Sequence, residues 1–178
     1  MASQKVDGVE QVGNKILKQK ALSVPHFGER EKAIVAKMKE ILIKASGIGL
    51  AAPQIGESKQ IILVGTPDKK LQKELGMGFF VLINPKIIDQ SEEEEIVEEG
   101  CLSFMQPEIR AKVARPLYIK VEAHNEKGQL IELEAFDLMA RSICHEVDHL
   151  HGVLFTDKAD PASIYEYKVE GERTKVIG

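Results

Sequence analysis

Cysteine is scarce in this chain. Cys101 and Cys144 are the only two, too few for a disulfide framework. In a reducing compartment such thiols read as buried side chains or ligands rather than as a bridge. A basic surplus is also missing. The net charge is -4, which excludes nucleic acid as the main direct partner, because phosphate binding needs a positive surface. No apolar run approaches the roughly 20 residues that a membrane span requires, so no membrane partner is expected. The opening stretch MASQKVDGVEQ has no apolar signal region and none of the Arg/Ser richness of a transit sequence. A cytoplasmic location is therefore expected. Repeats and low-complexity linkers are lacking, and 178 residues suit one domain with a core rather than two. The expected organisation is a single catalytic domain over residues 1–178, with a loose arm at 1–14 and a C-terminal tail at 158–178.

What is present is a globular composition, 43% hydrophobic and 29% charged. Residues 1–50 hold nine Lys/Arg against five Asp/Glu, read as a solvated helix face. Ile34, Met38, Ile41, Leu42 and Ala45 recur at helical spacing. The pattern predicts an amphipathic helix over Glu29–Ala45, ended by Gly47. QIILVG and FFVLINP are short apolar runs bounded by Gly and Pro, and they predict strands. In LYIKVEA the residues Leu117, Ile119, Val121 and Ala123 alternate with polar ones, and LIELEA beyond the Gly128 turn is the predicted hairpin partner. AFDLMARSICHEVDHLHG predicts a second helix, ended by Gly152. The acidic run in QSEEEEIVEEG reads as a solvated loop. Helix, several strands, then helix gives an α+β fold with mixed or antiparallel sheets packed around the C-terminal helix.

SICHEVDHLHG carries the chemistry. Four residues of helix advance about 400°, so His145 and His149 share one face, a turn apart. Their imidazoles can converge on one cation. Glu146 is rotated by about 100° from His145 and about 60° from His149, so it flanks the site rather than completing it. In this His-Glu-x-x-His arrangement the metal acidifies water and the glutamate takes the proton. Two surface histidines beside acids are the bland alternative. A third ligand is needed, and several residues compete for the role. The tenth residue after His145 is Phe155, which excludes a third-histidine pattern. Glu166 and Glu170 lie downstream in a polar stretch. Cys144 precedes His145 and is turned about 100° away, so it is expected to be a buried core thiol. Cys101 follows Gly100, where a backbone bend can aim it inward. With a thiolate and two histidines the fourth position stays open to water, as in catalytic sites.

Three motifs in order, GIGLAAPQIG (Gly47–Gly56), EGCLS (Glu99–Ser103) and HEVDH (His145–His149), resemble those of the peptide deformylase family, over roughly Lys15 to Asp157. The resemblance implies Cys101, His145 and His149 as metal ligands and Glu146 as general base, then acid. It implies the Gln54 side-chain amide and the Leu102 backbone N–H as donors to the formyl oxygen, with Gly49 leaving room for the formyl group. The implied substrate is the N-formylmethionine end of a nascent peptide, released as formate and a free amine. The implied cofactor is one divalent metal ion, commonly Fe2+, with Zn2+, Ni2+ or Co2+ as substitutes. The ribosome is the second partner such a substrate brings into question, although the mixed-charge tail shows no strong basic helix for docking. Donors at the developing oxyanion suit amide hydrolysis on physical grounds too.

Ile48, Leu138, Ser142 and Arg141 are the expected walls of the methionine slot, with Arg141 snorkelling towards solvent at its mouth. Ordinary core packing is the alternative for each. Asp148 and Arg115 are a candidate pair that orients the ligand-bearing helix. The sequence departs from the family in CLSFMQPEIR, where the proline is delayed to Pro107, and at Cys144, often Gln. Phe104 and Met105 are thus expected along the substrate groove. An endopeptidase with Glu166 or Glu170 as ligand, and a fold whose metal is structural or absent, are the competing readings.

Overall fold

The computed structural model describes residues 6–66, 68–74, 78–167 and 173–175. The first long helix is α1 (Glu29–Ala45), which buries Ile34, Val35, Met38, Ile41 and Leu42. Glu31 accepts a hydrogen bond from the Gly28 N–H at 3.0 Å and so caps its start. The left-handed residue at its end is Ser46 (φ 51°), not Gly47. Gly47 is required for another reason: a Cβ there would sit 2.7 Å from Leu42 Cδ1.

Two short strands follow, β1 (Gly49–Ala51) and β2 (Ile61–Val64), joined through a 3-10 turn at Ala52–Ile55. After a short helix α2 (Lys69–Glu74) come β3 (Phe80–Gln90), β4 (Glu94–Met105), β5 (Glu108–Pro116), β6 (Tyr118–His124) and β7 (Leu130–Phe136). The helix that carries His145 and His149 is α3 (Asp137–Leu150). A single helical turn, α4 (Phe155–Lys158), then leads to β8 (Tyr165–Tyr167) and β9 (Arg173–Lys175). One sheet has the order β1-β2-β3-β6-β7 and the other β4-β5-β8-β9, with antiparallel pairing throughout.

The first sheet is covered on both faces, which explains why β2 reads as an unbroken apolar run. Its Ile61 and Leu63 pack with Met38 and Leu42 of α1. Its Ile62 and Val64 pack with Met139, Ala140, Ile143 and Val147 of α3. A third apolar cluster holds Leu17, Phe104, Val113 and Phe155 under the second sheet.

Several expectations are corrected. β3 runs through Pro85 to Gln90. A register shift between Ile83 and Lys86, with Asn84 at φ 51°, absorbs the proline, which cannot supply a ladder N–H. The acidic stretch is no loop, because Glu94–Gly100 form the first half of β4, paired with β5. Glu94, Glu95 and Glu98 are exposed, which costs them no hydration, and only Glu99 is buried. Ala135 and Phe136 close β7, so α3 begins two residues later than its apolar pattern suggests. Residues 6–14 are not loose: Val9 is buried, and Glu10 and Val12 hydrogen-bond to Gln54 and Ser103. Part of the tail joins the second sheet through β8. No described helix is long and apolar enough to cross a membrane.

Candidate metal centre

Three elements meet at the base of a cleft. α3 presents His145 and His149 from successive turns, their ring centroids 5.1 Å apart. β4 presents Cys101 from the interval where its ladder with β5 is interrupted, between Gly100 and Met105. The Cys101 sulfur lies 3.3 Å from His149 Nε2. One ligand atom from each of Cys101, His145 and His149 falls within 4.8 Å of the others. A soft thiolate and two imidazoles are a donor set for a divalent transition metal, and the half-buried Cys101 leaves an approach from the cleft. The residues therefore fit such an ion.

The other ring nitrogens decide how firmly the donors are held. His145 Nδ1 lies 2.9 Å from Glu99 Oε2, which fixes that ring and its tautomer. Glu99 also accepts from Arg115 at 2.9 and 3.0 Å and from Arg141 at 2.9 Å. Arg115 reaches on to Asp148 Oδ2 at 2.5 Å, so the Asp148–Arg115 contact expected from the sequence is present. Burial alone would raise the Glu99 carboxyl, but hydrogen bonds from His145 and Arg115 outweigh it and hold it at about 2. Burial drives His149 well below its ordinary value, and the neighbouring His145 adds to this, which keeps His149 in the neutral form that ligates metals. Burial opposes charge on His145 too, but Cys101 and Glu99 more than offset it and raise that ring well above its ordinary value.

Glu146 is buried, and its Oε2 has no hydrogen-bond partner among the described residues. Burial pushes its carboxyl up to about 7. Gly49 lies against it, and a Cβ on Gly49 would stand 2.9 Å from Glu146 Cγ and Cδ. The glycine thus makes room for the carboxylate as well as for any substrate. Gln54, also buried, accepts from the Ala51 N–H through Oε1 at 2.8 Å. That bond turns its NH2 group towards the centre, 3.4 Å from the Cys101 sulfur and 3.2 Å from Ser103 Oγ.

Ile48, Gly49, Gln54, Leu102, Leu138, Arg141, Ser142, His145 and Glu146 all line the cleft. Arg141 does not snorkel. It is buried, with its guanidinium committed to Glu99 and to the carbonyls of Val113 and Glu95 at 3.0 and 2.6 Å. A carboxylate and two carbonyls at hand satisfy the charge better than the long reach to water. Ser142 donates to the Leu138 carbonyl at 2.7 Å. Met105 lines the cleft, whereas Phe104 is core, edge-on to Phe155 at 5.0 Å. Cys144 is buried, its thiol raised to about 11 by burial. Glu166 stands on β8 opposite Ile109, and Glu170 lies outside the described residues. Sequence reasoning gave Glu99 no separate role. A signal for it existed: two residues before Cys101 on a strand, it shares that side of the pleat.

A thiolate and two imidazoles beside one buried, unpaired carboxylate are the apparatus of a metal-dependent hydrolase. The model of the polypeptide deformylase family matches residues 6–164. The chain belongs to that family. It is 42% identical over 153 residues to peptide deformylase 1 of Clostridium acetobutylicum, covering 86% of this chain and 94% of that one. It is 40% identical over 150 residues to the peptide deformylase of Acetivibrio thermocellus, covering 84% and 81%. Among solved structures, the Thermotoga maritima peptide deformylase matches with a TM-score of 0.77 and 35% identity, over 90% of this chain and 99% of that one. A Synechococcus elongatus peptide deformylase in complex with actinonin matches with a TM-score of 0.77 and 38% identity, over 85% and 79%.

Proposed function

We propose that this chain, as a single catalytic domain, removes the formyl group from the N-terminal formylmethionine of newly made polypeptides, with Cys101, His145 and His149 holding one divalent ion, Fe2+ by choice. The observation that carries the reading is the convergence of those three donors beside the buried Glu146, in a cleft that also receives the Gln54 amide. When bound, the cation supplies Lewis-acid polarisation and a water acidified to near neutrality. Glu146 takes the proton of the attacking water and later returns it to the departing amine nitrogen. A carboxyl raised by burial suits both transfers, and a cation nearby lowers it again. The water oxygen adds to the formyl carbon, the carbon–nitrogen bond breaks, and formate and a free amine leave. Gln54 Nε2 and the Leu102 N–H donate to the carbonyl oxygen as it gains negative charge. Ile48, Leu138 and Ser142 form the slot for the methionine side chain, and Arg141 braces it from behind through Glu99.

Thiolate and imidazole ligation suits Fe2+, Zn2+, Ni2+ and Co2+ alike, and the choice of Fe2+ rests on the family resemblance. A cytoplasmic enzyme acting on nascent chains follows from the substrate. The ribosome is a further partner only if docking is measured. An anaerobic assay on formyl-methionyl peptides, with metal analysis of the same sample, tests the reading. Formate release that scales with bound iron and is lost in air is the expected result. Metal-loaded protein that leaves formyl peptides intact overturns it.

A further inference from the structure

The segment that carries Cys101 and the Leu102 N–H has no β5 partner in register, since pairing stops at Gly100 and resumes at Met105. A strand released from its ladder has little to fix its peptide planes. The N-terminal arm occupies the missing place. The Val12 N–H donates to the Ser103 carbonyl at 2.8 Å. The Gln11 side chain spans the interval: its Nε2 donates to the Leu102 carbonyl at 3.0 Å and its Oε1 accepts from the Met105 N–H at 3.2 Å. One residue earlier, the Glu10 N–H donates to the Gln54 carbonyl at 2.7 Å. Val9 anchors the arm in the cluster that holds Leu50 and Ile55. The arm therefore ties together the two segments that bear the oxyanion donors.

We propose that Gln11 is a positioning residue for deformylation, setting the Cys101–Ser103 backbone so that the Leu102 N–H and the Cys101 sulfur face the reacting group. The chemistry singles out a primary amide of this length, because one head group must supply a donor to one peptide and an acceptor to another three residues on. A carboxylate keeps the Met105 bond but sets an anion against the Leu102 carbonyl. The inference rests on the reading of Leu102 and Gln54 as donors.

The test uses the full chain with Gln11→Leu and Gln11→Glu, and with Gln54→Leu as reference. Both Gln11 variants should lower kcat about 10-fold to 100-fold, with KM changed less than about threefold. They should also release Co2+ to a chelator faster than the parent. Gln11→Glu preserves size and one of the two bonds, so it carries the test if Gln11→Leu does not fold. Gln11 variants with kcat within about twofold of the parent, beside a crippled Gln54→Leu, overturn the role of Gln11 alone. So does a fall in thermal stability with no change in kcat or Co2+ release. Full activity in Gln54→Leu as well overturns the donor reading, and the inference with it.

Discussion

At the residue scale, two glutamates of the same site are pushed in opposite directions, one upward by burial and the other downward by its partners. Glu146 is buried with one oxygen unpaired and is raised to about 7, whereas Glu99 is buried against His145, Arg115 and Arg141 and is held at about 2. The first can exchange a proton near neutral pH and the second cannot. Glu146→Gln keeps the shape and removes the proposed base. It should retain the metal while kcat falls about 10²–10⁴-fold, measured as formate release alongside metal content. Glu99→Gln leaves the buried Arg141 with no carboxylate partner among the described residues and leaves Arg115 with Asp148 alone. It should destabilise the fold by about 3 kcal/mol or more, read from urea unfolding. The pH dependence has a definite sign. The folded value of Glu99, about 2, lies below its ordinary 4.5, so its contribution is fully present above the ordinary value and drains away as pH falls towards the folded one. Urea midpoints taken from neutral to acid pH should drop in that window, and the drop should be shallower in Glu99→Gln.

At the scale of elements, α3 both packs in the core and carries His145 and His149. Its apolar side packs on β2, β3 and β6 through Ile143 and Val147, while His145 and His149 face β4. A helix so placed cannot rotate to relieve strain at the site. Its end is set by Gly152, at φ 72°, where a Cβ would approach the Lys18 backbone to 2.6 Å. Gly152→Ala should lower stability by more than about 1 kcal/mol, visible as a lower urea midpoint with the substrate KM unchanged. Gly49 on β1 meets the same helix at Glu146. Gly49→Ala should leave the fold intact but displace the Glu146 carboxylate, with a loss in kcat on the order of 100-fold. Retained kcat in that variant means β1 yields more readily than its buried pairing with β2 implies.

On the scale of the whole molecule, three apolar clusters make the core and the metal donors belong to none of them as a necessary brick. Cys101 only borders the third cluster. Chelation should therefore abolish turnover while far-ultraviolet circular dichroism and cooperative unfolding persist, in contrast to small domains that owe their fold to zinc. Re-addition of the metal under anaerobic conditions should restore formate release. Unfolding on chelation would instead assign the ion a structural role.

Local pattern was enough for those elements whose periodicity is decided by a single face, and for chemistry confined to one helix. α1 and the β6–β7 hairpin have one buried face each, and the His145–Glu146–His149 spacing is a property of helical geometry alone. The acidic half of β4 was misread because charge on an outward strand face and charge in a loop look alike in one dimension. Residues 6–14 were misread because their order comes from backbone and Gln11 bonds to Gln54 and Leu102–Met105, partners far along the chain. Arg141 was placed towards solvent because nothing nearby in sequence announces Glu99 as its partner. The sequence by itself determined the donor types, their spacing on α3 and the family. Only the tertiary structure decided that Glu99 gathers two arginines and a histidine, and which segments hold Cys101 in reach. The physical reason is that burial and long-range hydrogen bonds set the orientation of a polar group, and neither is encoded in its neighbours.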